Sequence, residues 1–288
     1  MNSQPTLAVI GGSGLYTMSG LQDVLELDLD TPFGKPSAPV VMGTLEGNRV
    51  IFLARHGIGH HITPSEVNFR ANIYALRSLG AQRIVSISAT GSLREDYAPG
   101  EIVIPDQIFD FTHKRLRSFF GDSIVAHLSV ADPFCPHLSQ LLFQATQEAG
   151  ATVHQGGTMI TIEGPRFSTR AESNVYRSWG MSLIGMTTSP EAFLAREAEL
   201  CYTVMAHVTD YDVWHVSKEA VTVEKIIEIL NRNTQIAQQA VMKLVRILGS
   251  ERPCQCERAL ANSLITHPGV MSPETRQNLS LLVDKYLE

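Results

Sequence analysis

The chain has 288 residues, 44% hydrophobic and 18% charged, with 23 Lys and Arg against 29 Asp and Glu for a formal net charge of −6. This is ordinary globular composition with material for a sizeable core, and it excludes a disordered chain. The acidic balance argues against a general nucleic-acid binder or an anionic-membrane surface protein, since both rely on clustered Lys and Arg.

In chain order, an apolar run at residues 7–10 predicts a first strand, followed by a second at 50–53 and a helix at 64–79. Strands at 84–87 and 102–104 precede a helix at 136–149. A strand at 159–162, a helix at 170–179, a strand at 183–186, a helix at 190–200 and a strand at 204–208 follow, and the longest helix spans 223–248. Several of the strand runs are apolar throughout, which suits strands buried on both faces and covered by helices. The class is α/β with a mixed, largely buried central sheet. Ser189-Pro190-Glu191 and Thr222-Val223-Glu224 read as helix starts, each with a capping hydroxyl and an acidic first turn. No internal repeat or low-complexity linker divides the chain. We expect one domain over 1–250, with 251–288 as a C-terminal helical appendage broken by Pro253, Pro268-Gly269 and Pro273.

No run approaches the roughly 20 apolar residues of a membrane crossing, and residues 1–6 lack the basic start and apolar stretch of a secretory signal, so the reading is cytosolic. Cys135, Cys201, Cys254 and Cys256 are too sparse for a disulfide framework and lack paired zinc-type spacing. Three of them read as plain thiols or core filler. Cys254-Gln-Cys256 could act as a redox pair, but is weighed here as an incidental surface pair.

Five segments carry chemistry. Gly11-Gly12-Ser13-Gly14 after the first strand could converge backbone amides on an anion, with Ser13 adding a hydroxyl. It matches neither a dinucleotide fingerprint nor a P-loop nor a hydrolase elbow, and an ordinary tight turn remains the alternative. Arg55-His56 follows the second strand, where a guanidinium fork suits a phosphate; Gly57 and Gly59 make a helical His56/His60 metal pair implausible. Residues 161–168 bring a strand into a turn displaying Glu163, Arg166, Phe167 and Ser168, read either as a base-stacking site or as a packed turn with a Glu163–Arg166 ion pair. Met186-Thr187-Thr188-Ser189 leads a strand end into a helix start with free amides and hydroxyls for an oxyanion. Asp210-Tyr211-Asp212 sets two carboxyls two residues apart, so that one pKa rises and a general acid is available near neutrality; a solvated acidic turn is the alternative.

Together with Thr31-Pro32-Phe33-Gly34-Lys35-Pro36 and Gly91-Ser92-Leu93-Arg94-Glu95, these segments stand in one order over about residues 7–248, and in that order the chain resembles the trimeric purine nucleoside phosphorylase family, specifically its methylthioadenosine branch. The resemblance implies a single α/β domain whose central mixed sheet is partly barrel-like and flanked by helices. It implies phosphorolysis, with inorganic phosphate as co-substrate and no metal or organic cofactor. Carried over by motif, Ser13, Arg55, His56, Ser88, the Ala89 amide and Thr187 would bind phosphate. Phe167 and Ser168 would contact the base, Met186 would lie under the ribose, and Asp210 and Asp212 would face the purine, with Asp210, Asp212 and His56 as the catalytic set. Val223, Ile226 and Ile227 would line the 5′ side. His127 resembles the residue that a neighbouring subunit contributes, which implies a homotrimer, or a dimer of trimers; no nucleic acid and no membrane enters.

A protonated Asp210 can donate to N7 and accept from an exocyclic amino group, which favours 6-aminopurines, and apolar walls would accept a 5′-methylthio group while giving a hydroxyl no partner. Gly185 departs from the methylthioadenosine branch and stands as in the 6-oxopurine branch, which keeps methylthioinosine or a broader purine nucleoside open as substrate. Nucleoside hydrolysis and a non-catalytic nucleoside sensor are the competing readings.

Overall fold

Residues 6–215 and 223–287 are described in a computed structural model of the chain, with the side chains of residues 13, 16 and 224–232 outside that description. The strands are β1 (Leu7–Gly11), β2 (Gln22–Leu27), β3 (Val40–Leu45), β4 (Asn48–Ala54), β5 (Arg83–Ser92), β6 (Ile102–Ile104), β7 (Gln107–Phe111), β8 (Val153–Gln155), β9 (Thr158–Ile162), β10 (Leu183–Gly185) and β11 (Cys201–Asp210). The helices are α1 (Phe69–Ser78), α2 (Pro136–Glu148), α3 (Arg170–Ser178), α4 (Thr188–Glu197), α5 (Val223–Ile247) and α6 (Pro273–Val283).

All strands join one mixed sheet. Its main path runs β2-β3-β4-β1-β5-β10-β9-β7, and β11 branches from β5 toward β6 and β8. The apolar runs lie where continuous hydrophobicity places them: β1 is buried at every residue and β11 at all but its last. Four strands carry no such signal. β2 is almost wholly exposed, contains Asp23 at φ 51° and pairs with β3 through an irregular register, so no core face marks it in the sequence. β3 holds Gly43 at its centre because a Cβ there would stand 2.9 Å from both the Gln22 carbonyl and the Leu21 side chain. β7 and β8 are short and only half-buried.

The helix expected at 64–79 begins only at Phe69, where Asn68 accepts a hydrogen bond from the Ala71 amide as its cap. Residues 63–66 are instead a local turn closed by Glu66 on the Thr63 amide and hydroxyl. Thr222, the expected cap of the longest helix, lies outside the described residues. The tail contributes Leu260, Met271, Leu279, Leu282 and Val283 to the same core cluster as Ile73, Leu76 and Tyr202. The incidental surface pair at Cys254 and Cys256 is corrected: Cys256 is buried beside Cys135 and Cys201, and the four sulfurs lie within 4.8 Å of one another.

The central strand pair controls what lies between. Along one edge of β5, residues 83–86 pair with β1 and residues 91–92 with β10. Residues 87–90 have no strand on that edge among the described residues, so the sheet splits there into a crevice. The other edge of β5 is covered throughout by β11. Next to Ala89 in the register stands His207, 1% exposed, with neither ring nitrogen hydrogen-bonded among the described residues. Burial holds its pKa down at about 4. A depressed histidine pKa contributes stability that is complete above the unfolded value and is lost as pH falls from about 6.5 to 4, here about 3 kcal/mol at full extent. We expect His207→Leu to flatten the acid limb of the stability curve in that window, measured as the urea midpoint against pH; an unchanged slope would show that His207 does not titrate with unfolding.

Candidate active site

The crevice is lined by strand ends. Arg55 follows β4, and its amide donates to the Gly11 carbonyl at 3.0 Å, holding the ends of β1 and β4 together. Its side chain is 3% exposed and runs inward. Nε and Nη2 meet the two carboxylate oxygens of Glu191 at 2.8 and 3.0 Å, Nη2 also donates to Ser86 Oγ at 2.6 Å, and the Ile10 and Ile87 carbonyls accept at 3.4 and 3.3 Å. The Tyr202 hydroxyl donates to Glu191 at 2.8 Å. The Nε–Nη2 edge of the fork is therefore occupied by a carboxylate on the first turn of α4, and the guanidinium ties the walls of the crevice together.

His56 sits at the rim with Nδ1 2.9 Å from the Ile62 carbonyl and its ring stacked on His60 at 4.4 Å. Burial, and then the neighbouring Arg55 charge, lower its pKa to about 4. The ring is thus neutral, with the proton assigned to Nδ1 by its carbonyl partner, and Nε2 presents an acceptor. Ala89 is exposed on β5, and Ser88 Oγ is buried with no hydrogen-bond partner among the described residues. The Ile87 carbonyl points to the open edge, toward Arg55, so two residues on the Ala89 amide points the same way. Thr187 precedes α4 with its hydroxyl making no cap bond. The Ser13 side chain, like those of Ile226 and Ile227, lies outside the described residues; Val223 is 58% exposed.

At the opposite end of the crevice, β11 carries an irregularity: Val208 pairs with Thr90, but Asp210 rather than Thr209 pairs with Gly91. Paired residues share a face, so this one-residue bulge turns Asp210 onto the face of Ala89 and Gly91. Gly91 is required there, because a Cβ would stand 3.1 Å from Asp210 Oδ1 and 3.3 Å from Asp212 Cβ. Asp210 accepts from the Thr209 hydroxyl at 2.6 Å and the Asp212 amide at 2.7 Å. Burial nevertheless raises its pKa, and burial, with the Asp210 charge adding to it, raises that of Asp212. Asp212 Oδ2 is buried and unpartnered among the described residues. Trp214 anchors this loop by donating from Nε1 to the Ser92 carbonyl at 2.8 Å.

The 161–168 turn joins the site through Gly164, which a Cβ would bring to 2.6 Å from Met186 Sδ. Phe167 is 50% exposed and Ser168 is buried. The Glu163–Arg166 pair of the alternative reading does not form. Glu163 instead accepts from the Ser65 hydroxyl and from the His113 and Lys114 amides at 2.6 and 3.2 Å, with Arg115 3.6 Å away, while Arg166 pairs with Glu172 at 2.6 Å. Arg115 further donates to the Ser189, Ile162 and Glu163 carbonyls at 2.6, 3.4 and 2.8 Å, tying the turn to the start of α4. His127 is exposed and apart from these residues; its amide bonds the Ser263 carbonyl of the tail at 2.8 Å.

Sequence reasoning missed the parts played by Glu191, Ser86, Tyr202, Glu163 and Arg115. One signal was available: Glu191 shares the buried side of α4 with Ala192, Leu194 and Ala195, where a charge needs a partner. Removing one partner of a buried pair leaves the other uncompensated, at a cost of about 3–5 kcal/mol, whereas replacing both by apolar groups costs far less. Glu191→Leu should lose stability of that size, and Arg55→Met with Glu191→Leu should recover much of it in urea unfolding. A double variant as unstable as the sum of the two singles would rule out the coupling.

Residues 6–246 match the family model of the phosphorylase superfamily. The chain is 53% identical to the S-methyl-5'-thioadenosine phosphorylase of Geobacter sulfurreducens over 99% of its own length and 100% of the relative's, and 50% identical to that of Koribacter versatilis over 98% and 97%. Among solved structures it is similar to a methylthioadenosine phosphorylase from an antarctic soil metagenomic library, at 46% identity and TM-score 0.93 over 98% and 99% of the two chains. The methylthioadenosine phosphorylase from Schistosoma mansoni in complex with adenine matches at 33% identity and TM-score 0.83, over 98% of each chain. With a crevice at the split of a mixed sheet, and with this likeness over its full length, the chain belongs to the S-methyl-5'-thioadenosine phosphorylase family of the phosphorylase superfamily.

Proposed function

We propose that the chain catalyses phosphorolysis of 5′-methylthioadenosine, releasing adenine and 5-methylthioribose 1-phosphate. The observation that carries this reading is the bulge in β11, which sets the carboxyl of Asp210, its pKa raised by burial, over Gly91, immediately beyond the open stretch of β5 that holds Ala89. From Gly91 to Ser88 is three residues, about 10 Å of strand, a span suited to a purine at one end and a phosphate at the other.

In the reaction a phosphate oxygen bonds to C1′ as the C1′–N9 bond breaks, and the electron pair of that bond passes into the purine. Asp210, whose pKa burial raises, delivers a proton to N7 from its protonated form, so the base leaves uncharged. Asp212 Oδ2, buried and without a partner among the described residues, accepts from the exocyclic amino group. The Ala89 amide, Ser88 and Thr187 hydroxyls orient the phosphate, and neutral His56 accepts a hydrogen bond from its remaining hydroxyl through Nε2. Arg55 and Glu191 serve this cradle as positioning residues. Phe167 offers a ring face to the base and Met186 an apolar bed to the ribose.

Gly185 is compatible with adenine. A Cβ there would point 2.5 Å from Met159 Cε and 3.6 Å from Thr90 Cγ2, so the absent side chain faces the buried core and not the base. This favours Asp210 and Asp212 as the determinants of base preference over the broader 6-oxopurine reading.

A homotrimer accords with the surface around His127. Val125 and Ile265, whose backbones are bonded to each other beside the His127–Ser263 bond, are 46 and 63% exposed, an apolar rim suited to a second copy of the chain.

Initial rates of phosphate-dependent base release should rank methylthioadenosine above adenosine, methylthioinosine and inosine; preference for a 6-oxopurine would transfer specificity to Gly185. Asp210→Asn should lower turnover of methylthioadenosine by about 100-fold or more, the scale of general acid catalysis, while improving the 6-oxopurine to 6-aminopurine ratio. An unchanged ratio would remove Asp210 from the base site.

A further inference from the structure

Far from the crevice, four side chains that the mechanism leaves unused converge. Cys135 is the residue before α2, Cys201 begins β11, and Cys254 and Cys256 lie in the tail. Their sulfurs all lie within 4.8 Å of one another, with Cys201 and Cys254 at 3.5 Å, and three of the four residues are buried. Backbone bonds fix each arm: the Cys135 amide donates to Tyr202, the Cys201 amide to Gln82 and the Cys254 amide to Arg252, at 2.8, 3.1 and 2.7 Å.

A tetrahedral zinc tetrathiolate with bonds of about 2.3 Å has sulfur-to-sulfur edges of about 3.8 Å, within the spread seen here. Four thiolates sharing one divalent cation leave a net charge of about −2, which needs cationic surroundings. They are present. Arg196 Nη1 lies 3.5 Å from Cys256 Sγ, and buried Arg83 interacts electrostatically with Cys201, Cys254 and Cys135. Arg83 also donates to the Gly249 and Glu251 carbonyls at 2.9 and 2.7 Å, so the same residue holds the tail segment that delivers Cys254. A multi-iron cluster would spread its thiolates over separate irons, farther apart than these.

We propose that Cys135, Cys201, Cys254 and Cys256 form a structural site for one thiophilic divalent cation, zinc, that staples the C-terminal tail to the foot of the central sheet and to α2. Binding exchanges the four thiol protons for the cation and changes no oxidation state. Cys201 and Asp210 are opposite ends of β11, about 30 Å apart, so the site acts on stability and not on turnover.

The test uses the full chain, purified without a metal-affinity tag and under reducing conditions. Metal analysis should find about one zinc per chain, and cobalt(II) exchanged into the protein should give an intense sulfur-to-metal charge-transfer band with the visible absorptions of tetrahedral cobalt. Cys254→Ser, the least buried of the four, should weaken that band and lower the thermal midpoint, while turnover at 25 °C stays within twofold of the parent. Failure of the thiol-intact protein to take up either metal would overturn the proposal. So would uptake undiminished in Cys254→Ser with Cys256→Ser, or recovery of the sulfurs as two disulfides from protein prepared without reductant. None of these outcomes bears on the phosphorolysis assay, whose site lies at the other end of β11.

Discussion

The interior ion pair between Arg55 and Glu191 is the constraint on which the crevice depends. Its members come from the end of β4 and the first turn of α4, 136 residues apart in the chain. The guanidinium also bonds carbonyls on β1 and β5, so one residue ties together the ends of β1 and β4, the middle of β5 and a helix start. A buried charge without its partner would be costly, and the surrounding elements therefore assemble in the one arrangement that satisfies both. Tyr202 and Ser86 complete the set, the first donating to the carboxylate and the second accepting from the guanidinium.

With those walls fixed, the chemistry follows from how β5 is paired. A strand covered along both edges would offer no backbone to a ligand. Here β1 and β10 take different parts of one edge, and the interval between them leaves the Ala89 amide without a strand partner among the described residues. The bulge at Thr209 then decides which β11 side chain faces the opening. A regular register would place a threonine over Gly91, whereas the observed one places Asp210 there, with Asp212 folded back at φ 50° to donate its amide to the same carboxyl. Burial raises both carboxyl pKa values, which is the condition for an acid that works near neutrality.

Much of this architecture was legible in the residues. The strands at 7–10, 84–87 and 204–208 and the helix at 136–149 stand out because hydrophobic runs and capping signals are local. β2 was not legible: it is an exposed strand held by backbone pairing to β3, and backbone pairing leaves no mark on side-chain pattern. The identities of Arg55, His56, Asp210 and Asp212 were legible as chemistry, but their orientations were not. Arg55 turns inward to a carboxylate, and the His56 ring offers an acceptor because a carbonyl claims its other nitrogen.

The sequence by itself determined the α/β class, the order of the motifs and the titratable groups available to them, since each depends on residues near one another in the chain. Only the tertiary structure decided which charge Arg55 would neutralise, which carboxyl the β11 bulge would aim at the crevice, and that four cysteines with no recognisable spacing would meet at the foot of the sheet. Those outcomes are set by contacts between segments tens to hundreds of residues apart, whose geometry depends on strand register and helix placement across the whole domain, and no local pattern encodes either.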